Sequence, residues 1–292
     1  MSSSIQRLLD LRTIDGFEDA ELSDLNSLAE NVTERTFEPG TLVTGPRART
    51  AAIYIVLEGR LTGASGRTWG PAEVCGSLEA MGRRRMSEDV FAEERTRTLQ
   101  LSAAAFREIL EDNYGLLTSV RRALGRQLHD LPMTFETFDM PEVVGEMPLG
   151  MVERLILLRR RMPFGRGRIE ALSTLAQAAE EVRLPAGAEL AVVGEPVVAT
   201  LVILEGRVRV TRGATTVVVG PGYVVGALES LGELPHGTTS VALTPVRALR
   251  CPSSVMFDVL EDHTDLALAM IESLAAALVD LGSTQRQARE LN

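Results

Sequence analysis

The chain repeats itself, and this constrains what it can fold into more than any single motif. Gly76–Gly82 (GSLEAMG) returns as Gly226–Gly232 (GALESLG), 150 residues later. Ile55–Leu61 (IVLEGRL) matches Val202–Val208 (VILEGRV), and Phe37–Val43 (FEPGTLV) matches Leu184–Leu190 (LPAGAEL), both at an offset of 147. Phe106–Asn113 (FREILEDN) answers Met256–His263 (MFDVLEDH) at 150 again. The stretch from Gly59 to Gly76 is three residues shorter than that from Gly206 to Gly226, so one shortened hairpin explains the change of offset. Matching segments in one order, with a single length change, mark a tandem duplication of one structural unit.

Each copy follows one plan. It opens with a helical patch, Glu21–Asn31 or Arg168–Glu181, whose apolar residues recur at three- and four-residue spacing. Short β-rich runs bounded by Gly and Pro follow; in the second copy Arg212-Gly213-Ala214 reads as a hairpin turn between alternating strands. Each copy closes with helices, carrying an apolar stripe at Leu117, Val120, Leu124, Leu128 and Leu131 or at Leu266, Met270, Leu274, Leu278 and Leu281. The expected fold is α+β and mainly β: two tandem small β-barrels, each flanked by helices, over residues 1–131 and 151–292. Residues 132–150, acidic and broken by three prolines, read as the linker. Its Met133, Phe135, Phe138 and Met140 are apolar for a linker; they either pack onto a neighbouring domain or form a docking strip for a partner.

Composition narrows the function classes. The length suits two domains of ordinary size, and 45% hydrophobic with 24% charged residues is the balance of a globular protein. Met1–Asp15 lacks the apolar length of a signal peptide, and no uncharged apolar run reaches the roughly 18 residues of a membrane span, so a cytoplasmic protein without membrane contact is expected. A net charge of −10 argues against nonspecific attraction to nucleic acid. All thirty basic residues are arginine. Without lysine there is no Walker-type phosphate loop, Schiff-base enzyme or kinase ATP site. Cys75 and Cys251, one in each half, read as buried small apolar residues rather than a disulfide or metal site. His129, His236 and His263 are too scattered for a metal centre, and no nucleophilic triad can be assembled around them. The chain is expected not to be an enzyme.

The helical patch, Phe-x-Pro-Gly, the strand ending in Leu-Glu-Gly, the Gly-x-Leu turn and the closing helices together resemble the cyclic-nucleotide-binding domain of catabolite activator proteins and protein kinase A regulatory subunits. The resemblance covers both copies, residues 5–131 and 151–282, and implies jelly-roll barrels in a regulatory, signal-transducing protein. In that family a phosphate-binding cassette, Gly-Glu-[Leu/Ile]-Ala-Leu followed by Pro-Arg-[Ala/Ser/Thr]-Ala, holds the ligand. Backbone N–H groups face the cyclic phosphate, arginine adds a charge-assisted bond, and glutamate accepts from the ribose 2′-hydroxyl.

Carried across, the cassette keeps its shape residues and loses its charged ones. Gly76 and Gly226 hold the opening glycine, and Leu78 and Leu228 the following apolar position. Ser77 and Ala227 stand where the family has glutamate. Glu79 and Glu229, two places on, are about 200° round a helix and are expected to be solvated or capping residues, the alternative being a remodelled ligand contact. Met86 stands at the arginine position, with Arg85 able to reach a phosphate after a one-residue slip or else part of an exposed basic loop. In the second copy His236 or Gly237 replaces the arginine, and Thr238, Thr239 and Ser240 either donate hydroxyls to a ligand or are ordinary strand-entry residues. Losing two charge-assisted bonds of roughly 1.5–3 kcal/mol each implies weak or absent cyclic AMP binding. The candidate ligands are therefore a cyclic nucleotide or another small phosphate-bearing molecule, with no cofactor otherwise implied. About ten residues follow the last stripe, too few for the DNA-reading module that transcription-factor relatives append, so direct DNA binding is not expected. A ligand-sensing regulator and a ligand-free scaffold, bound to a partner protein or to its own copy, are the two readings carried forward.

Overall fold

The structure is a computed structural model that describes residues 4–14, 17, 20–46, 52–131, 148–159 and 168–290. The linker residues Met133, Phe135, Phe138 and Met140 lie outside this set. The first repeat opens with a helical hairpin, α1 (Ser4–Arg12) and α2 (Leu22–Asn31). Strands β1 (Thr33–Phe37), β2 (Leu42–Thr44), β3 (Ala52–Glu58), β4 (Leu61–Gly63), β5 (Thr68–Trp69) and β6 (Val74–Cys75) follow. The short helix α3 (Ser77–Met81) precedes β7 (Val90–Ala92) and β8 (Thr96–Ser102), and α4 (Ala103–Asp112) and α5 (Tyr114–Asp130) close the repeat. The second repeat reproduces the series: α6 (Met151–Arg159), α7 (Ile169–Ala178), β9 (Glu180–Leu184), β10 (Glu189–Ala191), β11 (Ala199–Glu205), β12 (Val208–Arg212), β13 (Thr215–Val219), β14 (Val224–Val225), α8 (Ala227–Gly232), β15 (Thr239–Ala242), β16 (Val246–Pro252), α9 (Ser253–Asp262) and α10 (Thr264–Glu290).

Each repeat builds two four-stranded antiparallel sheets in the same order. These are β1-β8-β3-β6 with β2-β7-β4-β5, and β9-β16-β11-β14 with β10-β15-β12-β13. Even the irregularities recur: the register slips between Val56 and Glu58 and, 147 residues on, between Ile203 and Glu205. A bulge kept at one place in both copies bends the strand at a fixed point, as a built feature of the barrel does. The hairpin turn expected at Arg212-Gly213-Ala214 is present as a two-residue loop, with Arg212 opposite Thr215 and Gly213 at φ +56°.

The second-repeat helix ends earlier than its apolar spacing suggests. It stops at Ala178, and Glu180 and Glu181 enter strand β9. A tertiary contact decides this: Glu181 takes two bonds from the Arg247 guanidinium across the sheet, 2.6 and 3.0 Å, while Arg247 Nη1 donates to Glu205 at 2.9 Å. The first repeat holds the same triad, Arg97 with Glu34 and Glu58, but there the arginine is 30% exposed against 4% for Arg247. A second repeated device fixes the helical hairpins. Arg7 donates to the carbonyls of Ala29 and Val32, and Arg154, 147 residues later, to those of Ala176 and Ala179. A cation on the last carbonyls of α2 and α7 satisfies acceptors that the helix itself leaves open.

The barrel interiors hold the cores. In the first, Tyr54, Val56, Leu61, Trp69, Cys75, Met86 and Val90 pack together; in the second, Ile203, Val208, Val210, Val219, Val225 and Ala248. On the closing helices Leu117, Val120, Leu124 and Leu128, and Leu266, Met270 and Leu274, are buried as the stripes require, whereas Leu278 and Leu281 are only half-buried. Thr264–Ser283 of α10 is long and apolar enough to cross a membrane by length and composition, but half of it is buried within the protein, as in a core helix.

The chain divides into two compact units: Met1–Ala123 with Met270–Asn292, and Leu124–Ala269. The break falls inside α5 and inside α10, so the later part of each closing helix is grouped with the other repeat's barrel.

Candidate functional site

Both repeats carry the same short turn between a strand and a helix. Gly76 and Gly226 sit at φ +82° and +79°, in the left-handed region open to glycine, and lead β6 and β14 into α3 and α8. The helices also end alike. Arg83 and Glu233, at φ +51° and +52°, are left-handed without being glycine. Behind them the N–H groups of Arg84 and Leu234 reach back to the carbonyls of Glu79 and Glu229, both at 2.8 Å. This is the Schellman closure of a helix, and it is present in both copies, so the two turns agree in backbone from the opening glycine to the end of the helix.

Ser77 and Leu78, like Ala227 and Leu228, are half-buried on this turn. Glu79 and Glu229 correct the expectation of solvated residues, because each is only 8% exposed. A buried carboxylate needs partners. Glu229 accepts the N–H of Gly237 at 3.3 Å, so it pins the loop that stands at the family's arginine position. Burial pushes the neighbouring Cys75 thiol up to about 12, with the Glu79 carboxylate adding to the effect, and burial with Glu229 pushes Tyr223 to about 12. Burial likewise raises Cys251 to about 11. Neither thiol is poised as a nucleophile.

At the arginine position the copies diverge. Met86 is 3% exposed and is part of the barrel core. Its counterpart 150 residues on, His236, is buried with its ring against the cassette glycine: a Cβ at Gly226 would lie 3.1 Å from His236 Cε1. The backbone of His236 is held on both sides, its N–H donating to Glu195 O and its carbonyl accepting from Gly194 N–H, each at 2.8 Å. His236 Nδ1 has no hydrogen-bond partner among the described residues, and neither has Oγ of the fully buried Ser240, which occupies the place of Val90. Thr238 is buried, and Thr239 Oγ1 accepts the Val193 N–H at 3.3 Å. The first barrel leaves Trp69 Nε1 and Thr98 Oγ1 unpartnered in the same way.

Each cassette is covered by a closing helix. In the unit that includes Met270–Asn292, Arg84 makes a two-pronged pair with Asp280, 3.1 and 2.6 Å, and Arg83 reaches Glu272 at 3.2 Å. Gly82 lets the backbones touch, since a Cβ there would fall 2.7 Å from Ala276 N. Arg85 remains exposed. In the unit Leu124–Ala269, Gly125 meets Gly232, Arg126 Nε donates to Gly232 O at 3.2 Å, and the His129 ring lies against Gly237. Glu272, Asp280 and His129 belong to this arrangement and no local motif singled them out; the only hint was a small residue, Gly125 or Ala276, on each closing helix. Among the described residues no cluster of His, Cys, Asp or Glu has the make-up of a metal site.

The cyclic nucleotide-binding domain model matches residues 34–113 and 181–263, together more than half of the chain. The protein belongs to the cyclic nucleotide-binding domain family. Both matches bracket a cassette, so the chain carries two such domains in tandem. Among solved structures it is similar to the regulatory domain of Toxoplasma gondii PKA with cAMP, at 15% identity and TM-score 0.36, covering 97% of each chain. It is also similar to the regulatory subunit of a cAMP-independent protein kinase A from Trypanosoma brucei, at 19% identity and TM-score 0.35 over 90% of each chain. The N-terminal domain of a transcriptional regulator from Streptomyces coelicolor A3(2) matches at 27% identity and TM-score 0.40, covering 44% of this chain and 93% of that one. No curated protein matches.

Proposed function

We propose that the protein is a non-enzymatic cytoplasmic regulator in signal transduction whose two cassettes bind cyclic AMP weakly or not at all. The observation that carries this is the pair Met86 and His236: both are buried where the family places a ligand-facing arginine. Ser77 and Ala227 supply no carboxylate for a ribose hydroxyl. In the first repeat the nearby guanidiniums of Arg83 and Arg84 are already paired with Glu272 and Asp280. A surviving ligand would be a small phosphate-bearing molecule. In the second repeat it would meet Gly226, Ala227, Leu228, His236, Thr238 and Thr239; in the first, Gly76, Ser77, Leu78 and Arg85. Calorimetric titration is expected to give no cyclic AMP binding up to about a millimolar, and micromolar affinity overturns the reading.

The closed cassettes favour a second reading, a tandem-domain scaffold that holds a partner protein without ligand. A nucleotide panel separates the two. A ligand that binds only the folded state raises apparent stability, whereas the scaffold shows no thermal shift with any nucleotide and co-purifies with its partner.

A further inference from the structure

More than half of the large apolar side chains left exposed among the described residues lie on the two helical hairpins that open the repeats. They are not scattered there. Ile5, Leu9 and Leu22 are 71%, 53% and 49% exposed; Val152, Ile156 and Ile169, each 147 residues later, are 63%, 48% and 55% exposed. Each first pair is spaced i, i+4, so it shares one face of α1 or α6. Both hairpins are otherwise well anchored, with Leu11, Leu25 and Leu28 buried in the first and Leu158, Leu172 and Leu175 in the second. The outer apolar residues are therefore surplus to the cores. A single exposed Leu needs no explanation, but the same three positions kept apolar in both copies do.

The hairpins have opposite charge. Ser4–Asn31 carries seven carboxylates (Asp10, Asp15, Glu18, Asp19, Glu21, Asp24, Glu30) against Arg7 and Arg12, a net of −5. Met151–Ala178 carries six arginines against Glu153 and Glu170, a net of +4. The reversal occurs even at the helix caps: Glu21 precedes α2 where Arg168, which also reaches Asp265 at 3.1 Å, precedes α7. Two apolar faces of matching layout, carried on segments of opposite net charge, fit each other better than either fits itself.

We propose that the protein associates with a second copy of itself, the acidic hairpin α1–α2 of one molecule packing on the basic hairpin α6–α7 of another. The contact is heterologous, so each molecule offers one surface of each kind. This rests on surface chemistry and holds whether or not the cassettes bind ligand.

The test is sedimentation velocity on the full chain and on two double variants, Ile5→Glu with Leu9→Glu and Val152→Glu with Ile156→Glu, with circular dichroism confirming that all three fold. The unchanged protein is expected to self-associate, and raising salt well above physiological strength to weaken this about tenfold or more. Each double variant alone is expected to be monomeric. An equal mixture of the two is expected to recover association, because one retains the acidic face and the other the basic face. If both double variants prove unfolded, Arg159→Glu, an exposed charge reversal on the basic hairpin, is expected to weaken association of the otherwise unchanged chain by a similar factor. A protein that stays monomeric at low salt, a single variant that still associates by itself, or a mixture that does not recover overturns the proposal.

Discussion

The two barrels share strand order, bulges and left-handed turns, yet they are filled differently. The first is closed by large side chains, Tyr54, Trp69 and Met86; the second has Val219 in place of Trp69, His236 in place of Met86 and Ser240 in place of Val90. Backbone shape here depends on a few glycines and on strand pairing, which constrain sequence at fixed points. The interior side chains carry no such constraint on backbone shape and differ between the copies.

The sharpest way to break the comparison is at the triads, which are chemically alike and differently buried. Arg247→Ala leaves Glu181, a largely covered carboxylate held below its ordinary range chiefly by that arginine, without its main partner. Breaking a buried pair from one side costs about 3–5 kcal/mol, whereas the same change at the more exposed Arg97 is expected to cost about 1 kcal/mol. Urea unfolding of the two variants measures both. Equal losses would mean that the repeats rely on their triads equally, whatever the burial.

Next in size is the filling itself. Met86→Ala removes core volume and is expected to cost about 3 kcal/mol. His236→Leu replaces a buried ring nitrogen that lacks a partner with an apolar group of similar bulk, and is expected to be close to neutral. A large loss at His236 would show that the imidazole is held by something the chain itself does not supply, and would favour the ligand-sensing reading. Thermal denaturation with and without a nucleotide panel distinguishes these outcomes.

A smaller effect concerns alkaline pH. Cys75 and Cys251 are raised to about 12 and about 11 by burial, and Tyr54 and Tyr223 are raised as well. In the unfolded chain a thiol ionises near 8.5, so between that value and about 11 the unfolded state loses protons that the folded state keeps. Stability is therefore full below about pH 8.5 and falls as pH rises, by more than about 1 kcal/mol at pH 10. Unfolding midpoints across that range check the slope, and Cys75→Ala and Cys251→Ala are each expected to flatten it by a similar amount.

The repeat, the barrels and the cassette addresses were legible in the sequence because each rests on local requirements: a glycine at positive φ, alternation along a strand, an apolar stripe on a helix. What was not legible depends on contacts far apart in the chain. The spacing around Arg168–Glu181 is helical throughout, and only Arg247, 66 residues on, draws Glu181 into a strand. Glu79 and Glu229 looked like surface residues by type, and their burial follows from where the barrel wall meets the cassette. The pairing of Arg84 with Asp280 spans 196 residues and joins the first cassette to a helix of the second repeat, which no pattern within either copy announces. Repetition did encode one tertiary feature in retrospect: Arg97 and Arg247, like Arg7 and Arg154, stand at equivalent places, and each of the four holds the equivalent partners in its own copy.

The finest probe of the comparison is Ser240→Val, which gives the second barrel the residue that the first has at Val90. Ser240 is fully buried and its hydroxyl has no partner among the described residues, so its desolvation is uncompensated by the protein. Val adds one methyl group at a fully closed position, so Ser240→Ala, which removes only the hydroxyl, is measured beside it; with that variant the removal of an unsatisfied hydroxyl is expected to be neutral or to stabilise the fold by up to about 1 kcal/mol. The sign is what matters. A Ser240→Ala variant as destabilised as Ser240→Val would mean that the hydroxyl is bonded in solution to water or to a small ligand inside the barrel, whereas a loss confined to Ser240→Val reports overpacking. The second cassette would then differ from the first in what it holds, and not only in how it is packed.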